Sequence, residues 1–198
     1  MIENTDQQIR KKAIPNGVVL GVALSIFSIC SFYFMISMGA SVVLMTSAPV
    51  FFSLILPLAA AALLCFNLRK RIGGYWSFKQ AATGIFVMFI VAFVVQFLLR
   101  DLLFAKVIEP NMMQKTETAM VNSVSTYLHN TKVSQENIDK KIADIKKEFD
   151  TQKDLSIGKQ IQGLGFNIIF MFVFAVIFAA MFKKERPVYN PGINDPAV

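Results

Sequence analysis

The sequence predicts an all-α membrane protein: a bundle of four transmembrane helices with an extracytoplasmic helical hairpin between helices 3 and 4. Three observations carry this reading. Hydrophobic residues make up 55% of the 198-residue chain and charged residues only 17%, against roughly 25% charged in ordinary soluble domains. The apolar residues are gathered into blocks long enough to cross a hydrocarbon core of about 30 Å. Basic residues cluster at the ends of those blocks, which is the arrangement that sets orientation in membrane proteins.

Residues 1–14 form a polar cytoplasmic segment containing Arg10-Lys11-Lys12, and no charge then appears until Arg69. That uncharged run is more than twice the roughly 20 residues of one crossing, so it folds back. Small residues and a proline, from Gly39-Ala40-Ser41 through Thr46-Ser47-Ala48-Pro49, mark the turn. The first crossing falls near 15–38 and the second near 46–67, with Pro57 expected to kink the second. The first block is far longer than the roughly 7–15 residues of a signal-peptide core, so it is read as retained. Gly17, Gly21 and Ser25 form a GxxxG-type face of small residues that allows close helix approach, within the monomer or against a second copy.

The stretch 67–79 is a short, strongly basic turn. Gly73-Gly74 permits the redirection, and Tyr75 and Trp76 are expected as anchors in the headgroup layer. Ser77 is a candidate cap for a third crossing near 78–99, read as ending at Arg100-Asp101. The last crossing covers 161–182. Lys183-Lys184 follow it, opening a cytoplasmic tail, 183–198, marked as disordered by Pro187, Pro191, Gly192 and Pro196.

Orientation follows from charge. The net charge is +7, yet residues 101–160 hold nine basic and nine acidic side chains and sum to zero. Apart from Arg100, the remaining basic residues sit in the first segment, the 67–79 turn and the tail, so both termini are read as cytoplasmic. No basic stripe of the kind nucleic acid requires is visible.

Residues 101–160 form the extracytoplasmic hairpin. Met113, Met120, Val124 and Tyr127 suit one face of its first helix. In the second, Ile138, Ile142, Ile145 and Phe149 follow at 4-3-4 spacing, an apolar seam, with Glu136 and Lys140 paired on the outer face. The seam either covers the first helix or docks a partner. His129 is alone and lacks further ligands for a metal. Cys30 and Cys65 lie at different depths and are read as free thiols.

The crossings contain no Asp, Glu, Lys, Arg or His in their cores, and Gln96 and Asn167 are the most polar groups within the third and fourth. Such groups commonly bridge helices. No nucleophile–base, P-loop or metalloprotease motif is present. No cofactor and no enzymatic activity are expected. The expected partners are the bilayer, a membrane or periplasmic protein, or a second copy. The leading reading is a non-catalytic scaffold or accessory protein acting through the hairpin. The alternative is a small-molecule or ion transporter with Pro57 and Gln96 lining its path.

The Gly17/Gly21 entry to the first crossing, the stretch Gly73-Gly74-Tyr75-Trp76-Ser77-Phe78-Lys79-Gln80-Ala81 and the Pro110-Asn111 turn together resemble a bacterial family, domain of unknown function four-one-nine-nine. The resemblance covers roughly residues 13–182, and its most specific part is 73–81. It implies a bacterial inner-membrane protein of Bacteroidetes type and carries over no activity and no catalytic residue.

Overall fold

The computed structural model describes residues 2–37, 47, 49–153 and 157–185. Among them the chain is helical throughout, apart from short turns and a single antiparallel bridge between Trp76 and Lys184. Four helices are long and apolar enough to cross a membrane. The small-residue turn expected between the first two crossings lies largely outside the described residues, as does the tail beyond residue 185.

Helix α1 spans Ile2–Ser37 and runs through Pro15. The bundle therefore begins well before residue 15, and the segment read as a separate polar terminus belongs to it. Ile9, Ala13, Asn16 and Leu20 are buried, which continues one apolar face at 4-3-4 spacing across the Arg10-Lys11-Lys12 cluster. Proline removes one backbone donor and frees the carbonyl four residues back. Here that carbonyl belongs to Lys11, which is exposed near the end of the bundle, where water satisfies it.

Helix α2, Leu56–Arg71, is preceded by a π-helical turn, Phe51–Ile55. In that turn, Leu56 N–H bonds the carbonyl of Phe51, five residues back, and Pro57 follows in the first turn of α2. At the other end Gly73 and Gly74 have φ of 104° and 83°. Gly74 N–H reaches Arg69 O at 2.9 Å and Gly73 N–H reaches Lys70 O at 3.2 Å. This pair of bonds is a Schellman close, which needs a left-handed residue.

Helix α3, Phe78–Gln96, opens with a full capping box: Ser77 Oγ accepts from Gln80 N–H, and Gln80 Oε1 accepts from Ser77 N–H. It continues without a break into a π-helical segment, Phe97–Ile108. The charged pair Arg100-Asp101 thus does not end this helix. Two adjacent charges leave the backbone hydrogen bonds intact, and the side chains contact each other at 3.7 Å. The helix stops at Glu109 because the residue before a proline is pushed out of the helical region; its φ and ψ are −131° and 66°.

Helices α4, Met112–Asn130, and α5, Gln135–Lys153, pack as a hairpin. Helix α6, Ile157–Phe182, completes the bundle. Helix α3 is central, packed against α1 on one side and α6 on the other, while α2 lies against α1. The core runs through Ala13, Leu20, Cys65, Trp76, Ile85, Met88, Ala92, Ala175 and Phe178. Helix α6 supplies only residues of its C-terminal half, Ala175, Phe178, Ala179 and Phe182. Residues 162–170 of this helix, including Phe166, Ile169 and Phe170, are exposed, so α6 stands away from the bundle there.

Candidate functional site

Three places gather the residues that the sequence singles out: the α1–α3 contact, the basic end and the hairpin. At the first, the small face of α1 lies directly on α3. A Cβ at Gly17 would sit 2.7 Å from Met88 O, and one at Gly21 would sit 2.6 Å from Ala92 O. Ser25 is buried and donates to Gly21 O within its own helix at 2.8 Å. The face is therefore occupied inside the monomer. Beside it, Asn16 is 2% exposed and its amide donates across helices to Leu64 O at 3.1 Å. Sequence reading passed over Asn16 because it falls at the start of an apolar block, where a polar residue looks like a boundary.

At the basic end the chain clasps itself. Trp76 Nε1 donates to Phe182 O at 2.9 Å, and Arg69 reaches the same oxygen at 3.3 Å. That oxygen is one of the last carbonyls of α6, which have no partner within the helix. Trp76 and Lys184 exchange backbone bonds of 2.9 and 3.3 Å, and Lys12 Nζ donates to Arg71 O at 2.7 Å. Cations here face the negative ends of the α2 and α6 dipoles. Trp76 was expected among headgroups beside Tyr75; it is instead 2% exposed and faces inward. A tryptophan at this depth can turn either way, and the open carbonyl at the end of α6 decides it. Tyr75 stays exposed, with Lys184 Nζ 5.3 Å from its ring centre.

In the hairpin, Ile138 and Ile145 are 1% and 5% exposed, and Ile142 and Phe149 are half-buried. The buried residues of α4 are the small Ala119 and Ser123. Of the face predicted for α4, Met120 and Val124 are half-buried, next in sequence to Ala119 and Ser123, while Met113 and Tyr127 towards its ends are exposed. The two helices of the hairpin pack on each other, and the first also packs on α1, where Ala119 lines a space with Ile36. Lys132 holds a left-handed φ of 57° in the connecting turn. Val133 N–H bonds Leu128 O at 3.1 Å and Lys132 N–H bonds His129 O at 3.1 Å, a second Schellman close, made here without glycine. The hairpin is braced at its base by Lys115 and Glu109, 2.7 Å apart, and α4 packs against the end of α1 around Ile36. Glu136 and Lys140 pair at 3.2 Å on the solvated side.

One further place emerges only in three dimensions. Where α6 stands away, an apolar cavity of about 330 Å³ opens between α1, α2, α3 and α6. Pro57, Gln96 and Asn167, which come from three different helices, all line it. A second space, of about 340 Å³, continues it past Ser28 and Ser53 to Arg100.

The matched family model covers residues 15–184, all four crossings and the hairpin, and its description is protein of unknown function, DUF4199. The chain belongs to that family. No curated protein and no solved structure matches it.

Proposed function

We propose that this member of the DUF4199 family is a non-catalytic scaffold or accessory protein of a bacterial inner membrane, which uses its hairpin to bind another membrane or periplasmic protein. The observation that carries the reading is the way the hairpin is built. Its apolar seam is closed by α4, its turn is fixed by two backbone bonds, and its base is held by Glu109, Lys115 and the end of α1. It is a preformed body on a bundle, and preformed surfaces bind without the cost of ordering. The contact then uses the outer faces of α4 and α5, where Tyr127 is half-exposed and charges alternate along α5, rather than the isoleucine seam.

Orientation is part of this reading. The structure gathers Lys12, Arg69, Arg71 and Lys184 at the end opposite the hairpin. By the charge rule that end is cytoplasmic and the hairpin lies outside.

The test is site-specific photocrosslinking in intact membranes from position 127 and, separately, from position 140. One defined protein adduct from these positions, absent from a probe at lipid-facing Leu63, supports the reading. Adducts with lipid alone at both positions count against it. A transporter is the second reading, favoured by the convergence of Pro57, Gln96 and Asn167 on one cavity. Substrate flux in reconstituted vesicles that Gln96→Leu abolishes would establish it.

A further inference from the structure

The cavity at the splayed half of α6 is built for an amphiphile. We propose that it seats one acyl chain of an anionic phospholipid from the leaflet on the hairpin side, with Arg100 holding the headgroup phosphate. Depth is the first argument. Helix α3 begins at Phe78, and at 1.5 Å per residue Arg100 lies roughly 33 Å further along it. That span matches a hydrocarbon core of about 30 Å, so Arg100 stands at the level of the phosphates, not within the tails.

Polarity is the second argument. The inner part of the space is walled by Leu58, Ala92, Phe93, Phe170 and Phe178, which suit hydrocarbon. Towards Arg100, Ser53 and Gln96, which border both parts, are joined by Ser28 beside Leu24, Phe52 and Pro57; the three polar groups are able to meet glycerol and ester oxygens. The gradient follows that of a lipid from tail to headgroup.

The third argument is the state of the guanidinium. Its Nε has no hydrogen-bond partner among the described residues, and its contact to Asp101 is a single one of 3.7 Å. A guanidinium carries five donors in a fork that matches phosphate oxygens. Asp101 offsets part of the charge without satisfying those donors. The two π-helical segments, Phe51–Ile55 and Phe97–Ile108, flank this mouth, and π turns recur at functional sites.

The test uses the full-length protein in phosphatidylcholine vesicles containing a minor fraction of phosphatidylglycerol with a photoreactive acyl chain. A matched set carries the same chain on phosphatidylcholine. Crosslinks from the anionic lipid should map to the walls near Phe93 and Phe170 and exceed those from the zwitterionic lipid several-fold. Arg100→Gln should remove that excess, and Arg100→Lys should keep part of it. Ser53→Trp, which leaves the charge in place and narrows the slot, should lower labelling by both lipids. Added inorganic phosphate should not compete, since the chain supplies most of the binding. Equal labelling by the two lipids in the wild type, an excess that survives Arg100→Gln, or full competition by inorganic phosphate would each overturn the proposal.

Discussion

The indole N–H of Trp76 donates to the carbonyl of Phe182 across 2.9 Å, which fastens the turn after α2 to the last residue of α6. The bond satisfies a carbonyl that a helix end otherwise leaves open, in a place where the tryptophan is shielded from water. Arg69 reaches the same oxygen at 3.3 Å, so loss of the indole donor forfeits one hydrogen bond, about 0.5–1.5 kcal/mol net.

Trp76→Phe is therefore expected to lower stability by about 0.5–1.5 kcal/mol, and Trp76→Ala by about 3–5 kcal/mol because a cavity is added. Reversible unfolding in mixed micelles measures both. Since Trp76 is the single tryptophan, its emission reports the site directly. It should be blue-shifted and insensitive to aqueous quenchers in the folded protein. Emission typical of a headgroup-level indole would place Trp76 outward after all.

Gly21→Ala forces α1 from α3, because the new methyl would lie 2.6 Å from a backbone oxygen that cannot turn away. A loss of about 1–3 kcal/mol is expected. The oligomeric state, read by light scattering in detergent, should not change, since this face is occupied within the monomer. A shift from dimer to monomer would show that the face also serves a second copy.

Ile138→Ala should cost about 2–5 kcal/mol, confined to the hairpin. Limited proteolysis between residues 112 and 153 should accelerate while the bundle remains intact, as expected where local units open independently. An unchanged cleavage pattern would mean that the seam is not what holds α5.

Lys132→Gly is the converse case. The left-handed conformation costs an ordinary residue roughly 1–2 kcal/mol, and Lys132 holds a φ of 57°. Glycine should slow hairpin proteolysis by the equivalent of about 1 kcal/mol, once its own entropic cost is deducted. Faster cleavage would contradict the assignment of that turn.

Much of this fold is legible in the sequence, for reasons that differ by element. The crossings show because lipid demands long uncharged helices, and the Ser77–Gln80 cap shows because its spacing is local. The end of α3 misleads, since a charge pair resembles a boundary while Pro110 is the real stop. The inward turn of Trp76 depends on a carbonyl 106 residues away, which no local pattern reveals. The α4 face is legible in part: Met120 and Val124 are half-buried, whereas the fully buried positions are the small Ala119 and Ser123, which hydrophobicity alone does not single out. Gln96 and Asn167 are visible singly as polar groups in apolar blocks; that they share a cavity follows only from the way α6 leans.

The central claim is that the hairpin and the basic end lie on opposite sides of the membrane. Cysteine labelling tests it most directly, in a Cys30→Ser, Cys65→Ser background with Ser134→Cys or Lys70→Cys added singly; both positions are exposed. The account predicts that an impermeant maleimide added outside spheroplasts labels Ser134→Cys at once and Lys70→Cys only after the membrane is opened. The reverse pattern, or labelling of both from the same side, would contradict it.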